Sequence, residues 1–246
     1  MLPIFKISLV LGEFAMETVL VTGANRGIGL EFVRQFTNLK KQVVACCRNV
    51  EQAKELNEFA QKNDSVSVYE LDVTKQAQID KLSKELSSQP IDYLINNAGI
   101  YGSRKVTLGS LDPENFLNVM EVNCLATLKV SEAFLDQLAK SQKKMLVTIS
   151  SQMGSITDND SGGSYAYRAS KAALNAVMRS FAIDTSHLGV NVMTLHPGWV
   201  KTDMGGGNAF ISTTESVLGM IEQIEKHGKN DHAQIFRRFD GKTIGW

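Results

Sequence analysis

Seven short apolar runs punctuate the chain, and helix-length amphipathic segments separate them. The runs are Thr18–Thr22, Gln42–Cys47, Ser65–Leu71, Ile91–Asn96, Lys144–Ser150, Val190–Leu195 and Ala233–Phe236. They are rich in Val, Ile and Leu and show no clean polar alternation, the pattern of strands covered on both faces. Ile28–Leu39, Glu51–Gln61, Gln76–Leu86, Pro113–Lys140 and Ser164–His187 read as intervening helices. Asp112-Pro113 reads as an N-cap followed by proline at the first helical position. Strand alternating with helix builds right-handed βαβ units. The expected fold is therefore α/β, a doubly wound parallel sheet of about seven strands with helices on both faces. At 246 residues, with no break in composition, it is one domain.

Charge narrows the function. Lys and Arg number 26 and so do Asp and Glu, which gives no general electrostatic grip on nucleic acid or an anionic membrane. Cys46, Cys47 and Cys124 are too few, and odd in number, for a disulfide framework. Cys46 and Cys47 are neighbours in a strand and should point to opposite faces of the sheet as buried thiols. His187, His196, His227 and His232 are scattered without the spacing of a metal site. A reducing, cytoplasmic compartment is expected. Residues 1–15 are apolar but carry Lys6 and Glu13, and they are too short to span a bilayer. They read as an extension from an upstream start or an expression remnant, with a targeting segment as the alternative. The domain proper is expected to run over 16–246.

The first strand ends in Thr22-Gly23-Ala24-Asn25-Arg26-Gly27-Ile28-Gly29, and a helix follows. Glycines at 23, 27 and 29 permit a tight turn and let backbone approach a pyrophosphate, which the helix N-terminus receives. A glycine triplet alone is weak evidence, but a strand–turn–helix opening a βα series is the context that supports a dinucleotide site. The second strand ends in Cys47-Arg48-Asn49, with no acid until Glu51. An acid there would bind a ribose 2′-hydroxyl, whereas arginine accommodates a 2′-phosphate. Arg48, with Arg26 as a second cation, favours NADP(H). Asp72, followed by Val73, either meets the adenine amino group or caps the helix from Lys75, and both readings stand. Asn96-Asn97-Ala98-Gly99, at the end of the fourth strand, suits the crevice where a dinucleotide lies, although both amides also suit turn chemistry.

The fifth strand ends in Ser150-Ser151, and Tyr167 and Lys171 follow on one helix face at i and i+4. A phenol normally titrates near pH ~10 and is a poor acid at neutrality. A neighbouring ammonium and an oxidised nicotinamide ring stabilise its phenolate, so the pair can pass a proton to or from a substrate oxygen. Ser151 can donate a hydrogen bond to that oxygen as charge develops.

Together TGANRGIG, NNAG, Asn123, ISS, YRASK and HPGWVKTD resemble the short-chain dehydrogenase/reductase family, a Rossmann-like fold, over about 16–246. YAYRASKAALN and HPGWVKTDMGG are similar to its sniffer-like carbonyl reductases and C-factor group. The resemblance implies a catalytic set of Asn123, Ser151, Tyr167 and Lys171, with Asn123 holding a water in a proton relay to Lys171. It also implies that Pro197, Gly198, Val200 and Thr202 meet the nicotinamide end and that Lys171 bonds the nicotinamide ribose. Ser151 lies further from Tyr167 than the family pattern has it, because Thr157–Gly163 adds a polar loop, so Ser150 and Ser155 stay open as alternatives. The glycine-rich stretch from Met204 to Thr214 is short, which suits an open site and small or varied carbonyls, or is only a flexible loop. Leu108–Lys140 contains the helix that many relatives use to form dimers or tetramers, and its apolar stripe serves a core equally well. Two functions follow: an NADP(H)-dependent reductase of a small carbonyl substrate, or a nucleotide-binding signalling protein of C-factor type. The intact Tyr167 and Lys171 favour the enzyme.

Overall fold

The computed structural model describes residues 16–104, 106–227 and 235–246. Each apolar run supplies a strand: β1 Thr18–Thr22, β2 Gln42–Cys47, β3 Val66–Glu70, β4 Tyr93–Asn96, β5 Met145–Ile149, β6 Asn191–His196 and β7 Ile235–Arg238. They form one sheet in the order β3-β2-β1-β4-β5-β6-β7, parallel throughout. After β3 the chain returns to the other side of β1, so the order reverses between β1 and β4. In an open α/β sheet that switch point is where ligands bind, beyond the strands' carboxyl ends. The readings of residues 1–15, of His232 and of Ala233 as a strand start lie outside the described residues.

Alternation along the central strands divides the core between the two faces. Val19, Val21, Val43, Ala45 and Cys47 pack on one side, and Leu20, Val44 and Cys46 on the other. Cys46 and Cys47 thus point to opposite faces, and all three cysteines are buried and free. The first face is covered by Phe32, Val33 and Phe36 of α1 (Gly27–Asn38), by Leu56 of α2 (Lys54–Ala60) and by Val217, Met220, Ile221 and Ile224 of α8 (Thr213–Lys226). The second is covered by α3 (Gln76–Glu85), α5 (Ala126–Ala133) and α7 (Tyr165–Asp184) through Ile79, Leu82, Val130, Leu174 and Met178. Each such side chain contributes about 1.5–3 kcal/mol on burial, which sets the sheet as a rigid platform.

Three local features differ from the sequence reading. The segment Pro113–Lys140 is not one helix but α4 (Pro113–Met120), a π-helical turn (Glu121–Leu125), α5 and α6 (Leu135–Lys140). Its start is as expected, with the Asp112 carboxylate accepting from the Glu114 and Asn115 amides at 3.0 and 3.2 Å. Asp72 does not cap α3, whose N-cap is Lys75. Its Oδ1 instead accepts from the Thr74 amide and hydroxyl at 3.0 and 2.7 Å, closing a turn ahead of the helix. Helix α8 had no counterpart among the segments read as helices. Its signal is Ser212-Thr213-Thr214-Glu215, a capping-box pattern in which the Ser212 hydroxyl accepts from the Glu215 amide at 3.0 Å.

Candidate active site

The glycine turn is built for close backbone approach. Gly23 and Gly27 have positive φ of 65° and 55°. A Cβ on Gly29 would fall 2.1 Å from the Gly23 carbonyl oxygen. Arg26 is the extended N-cap of α1, no side chain caps the helix, and its first turn holds no acid. Its free N–H groups and positive dipole end are left for an anion, so these residues fit a pyrophosphate. Thr22 and Asn97 brace the turn from behind. The Thr22 hydroxyl accepts from the Asn97 and Ala98 amides at 3.0 and 3.1 Å, and Asn97 Nδ2 donates to the Thr22 and Gly23 carbonyls. Asn96 Nδ2 donates to the Ser131 hydroxyl on α5. Both amides therefore hold strand ends in place.

Arg48 follows β2 directly, is exposed, and has no ion-pair partner among the described residues. Arg26 is engaged within the chain. Its guanidinium meets Asp203 at 2.5 Å, which joins the glycine turn to the loop after β6. That loop lies close by, since a Cβ on Gly27 would sit 3.3 Å from Thr202 Cγ2. Within it the Thr202 hydroxyl accepts from the Gly205 amide at 3.0 Å, Val200 bridges to Ile211, and the Trp199 and Phe210 rings meet edge to face at 4.9 Å. Pro197 accepts a 2.6 Å hydrogen bond from Ser216, and a Cβ on Gly198 would strike Ile211 at 2.6 Å.

The second half of the site converges at the carboxyl ends of β4 and β5. Ser151 interacts with the Tyr167 phenol, favouring its ionised form, and accepts from the Met153 amide at 3.2 Å. Ser150 is turned away, donating to Asn175 at 2.7 Å, and Ser155 accepts from the Asp158 amide. Only Ser151 of the three serines is thus joined to Tyr167. Lys171 Nζ donates to the Ile149 carbonyl at 2.9 Å and lies 5.8 Å from the Tyr167 ring centre. Burial pushes the Tyr167 phenol up to about 12, against the pull of Ser151, and pushes Lys171 down to about 8. The phenol is therefore protonated at neutral pH, and Lys171 titrates close to it.

Asn123 sits in the π-helical turn, where such bulges often mark function. Its Oδ1 accepts from the Ile100 amide, and its Nδ2 donates to the Ile100 carbonyl and the Ser170 hydroxyl. Ser170 in turn donates to the Tyr167 carbonyl at 2.8 Å. A Cβ on Gly99 would lie 3.2 Å from Asn123 Oδ1 and 3.6 Å from Lys171 Nζ, so both groups converge on the NNAG segment. Two neighbours escaped the sequence reading: Ser170, inside the Tyr–Lys motif, and Tyr101, two residues beyond NNAG.

The chain matches the family model described as short chain dehydrogenase over residues 17–209. It belongs to that family. Among solved structures, carbonyl reductase Sniffer of D. melanogaster is 33% identical with a TM-score of 0.88, covering 94% of this chain and all of that one. The NADPH-bound carbonyl reductase from chicken fatty liver is 35% identical with a TM-score of 0.86, over 94% of this chain and 99% of that one. The C-signal protein of Myxococcus xanthus is 40% identical over 158 residues, 64% of this chain and 93% of that protein. Among the described residues of this short-chain dehydrogenase, no helix is long and apolar enough to cross a membrane.

His196, in the family's HPGW segment, adds a pH dependence to the fold. Burial pushes its pKa down to about 4, with Arg238 acting the same way, and its Nδ1 has no hydrogen-bond partner among the described residues. The unfolded chain, with its histidine near pH ~6.5, then binds the proton first. This contribution is intact above pH ~6.5 and is lost as pH falls towards 4, by up to about 3 kcal/mol. Melting temperatures at pH 7 and 4.5 should fall less for His196→Gln than for the parent. Equal falls would contradict the assignment.

Proposed function

We propose that this short-chain dehydrogenase is an NADPH-dependent reductase of aldehydes, ketones or quinones. The observation that carries the reading is Lys171, held by the Ile149 carbonyl at the end of β5 and 5.8 Å from the Tyr167 ring, with Ser151 acting on the phenol, beside a glycine cradle that a single methyl group would fill. The two carbonyl reductases of similar fold support it. The open start of α1 would hold the pyrophosphate, and Arg48 the 2′-phosphate, with Arg26 joining it at the expense of the Asp203 pair. Val73, Asn25, Ile28, Ala98 and the 197–202 loop would line the rest of the dinucleotide.

NADPH, when bound there, would supply the hydride for the carbonyl carbon, leaving the carbonyl oxygen to take the electron pair of the broken π bond. Ser151 donates to the carbonyl oxygen and stabilises its developing charge. Tyr167 gives that oxygen its proton, completing the alcohol. Lys171 holds the phenolate and carries the replacement proton, which its pKa of about 8 permits at neutrality. Asn123, anchored at both ends of the Ile100 peptide, would fix the relay behind Lys171. The short aromatic loop around Trp199 and Phe210 suits apolar carbonyl compounds of varied shape. Three buried free thiols support a reducing, cytoplasmic setting, which cell fractionation checks.

Arg48→Ala tests the cofactor choice. Losing a charge-assisted hydrogen bond costs about 1.5–3 kcal/mol, roughly ten- to a hundredfold in affinity. NADPH binding should fall by that factor in a titration while NADH binding barely moves. Equal losses would show that Arg48 does not read the 2′-phosphate. A signalling role is the second reading, favoured by the likeness to C-signal. It needs the cradle but not the acid, so a protein that binds NADPH and reduces no member of a broad carbonyl panel would support it.

A further inference from the structure

Helix α7 begins in an unusual way. Gly162, Gly163 and Ser164 take positive φ in succession, 62°, 64° and 47°, and Ser164 is the N-cap. A serine there ordinarily turns its hydroxyl onto the helix amides and avoids the left-handed region. Ser164 does neither. No side chain caps α7, and the Ser164 hydroxyl instead meets the Tyr101 phenol at 2.6 Å. Strain of this kind persists where the surroundings over-determine it, and it concentrates at functional sites.

Tyr101 is held against Tyr167. Its ring stacks on the Tyr167 ring with centres 4.6 Å apart and planes 29° apart. The Arg104 guanidinium lies over Tyr101 at 5.3 Å, and Lys171 lies 5.8 Å from the Tyr167 ring. Each phenol of the stack thus has a cation near its ring. Arg104 also donates to the Met204 carbonyl at 2.6 Å, which ties the stack to the loop after β6.

We propose that Tyr101, pinned by Ser164, is a positioning residue that fixes the Tyr167 ring for proton transfer and shields it from water. The inference rests on Tyr167 being the proton donor, as argued above. The groups facing Tyr167 are Ser151 from the end of β5, Tyr101 from the segment after β4 and Lys171 from its own helix; Arg104 lies over Tyr101, Cys124 of the π-helical turn acts on Lys171, and Asp112 and Tyr165 line the cavity beside the two stacked rings. Burial is the main cause of the raised Tyr167 pKa, and Tyr101 adds to it. Removing the ring should therefore let the phenol ionise at lower pH.

The test uses the full chain with one accepted carbonyl and saturating NADPH. Tyr101→Phe keeps the stack and loses the Ser164 contact. Ser164→Ala loses the same contact from the other side. Each should lower kcat roughly three- to tenfold, the rate equivalent of one hydrogen bond, with NADPH affinity unchanged. The double variant should be no slower than either single one. Tyr101→Ala should also move the alkaline fall of kcat to lower pH, and by more than Tyr101→Phe, which keeps the ring and removes only the hydroxyl's contribution. Wild-type kcat in both single variants, losses that multiply in the double, or an unmoved alkaline limb in Tyr101→Ala would overturn the proposal. If Tyr167→Phe stays active, the proton-donor reading fails first. If Tyr167→Phe is dead and the Tyr101 variants are silent, this inference alone fails.

Discussion

Gly29→Ala should cost the protein both its cofactor and much of its stability. The added Cβ would fall 2.1 Å from the Gly23 carbonyl oxygen and 2.9 Å from its carbon, backbone contacts that no side-chain rotation relieves, and 2.5 Å from Asn97 Nδ2. Helix α1 must then lift from the turn, and both the open N-terminus and the Asn97 brace move with it. Overpacking of this kind costs about 3 kcal/mol or more, and in a domain of this size each kcal/mol lowers Tm by about 2–4 °C. A fall in Tm of roughly 6–12 °C is expected, with NADPH affinity down at least about tenfold. Gly207→Ala is the control, because no atom lies within 4 Å of its would-be Cβ. That variant should melt and bind like the parent. If Gly29→Ala did so too, the close approach of α1 to the turn would not be a feature of the working protein.

Much of this architecture is legible in the sequence because it follows from short-range pattern. Val- and Ile-rich runs without polar alternation can only be strands covered on both faces, and the glycine turn fixes where the first helix starts. The neighbouring Cys46 and Cys47 fall on opposite faces because the strand period is two. The Asp112 cap follows from local chemistry alone. What escaped depends on contacts distant in sequence. Nothing in Glu121-Val122-Asn123-Cys124-Leu125 announces a π-helical turn, and Asn123 is engaged there by the Ile100 peptide, 23 residues away. Arg26 is 177 residues from Asp203, so its pairing across the cleft has no local signature. For Asn97 the sequence leaves crevice lining and turn chemistry both open, and the brace itself depends on its amide facing the Thr22 and Gly23 carbonyls, some 75 residues away. Tyr101 lay beside a recognised motif, yet its stacking on Tyr167 needs the fold to bring β4 and α7 together.

The proton donor is the centre of the account, and Tyr167→Phe addresses it with the least disturbance. The substitution keeps the ring and its stack on Tyr101 and removes only the hydroxyl. Steady-state reduction of an accepted carbonyl should be run beside an NADPH titration, with Lys171→Ala and Ser151→Ala in parallel. Lys171→Ala should impair turnover and cofactor affinity together, and Ser151→Ala turnover alone. For Tyr167→Phe, NADPH should bind as tightly as to the parent while turnover falls at least ~10²-fold, the lower bound for loss of a general acid. Turnover above about a tenth of the parent's, with chemistry rate-limiting, would contradict the assignment of Tyr167 as donor.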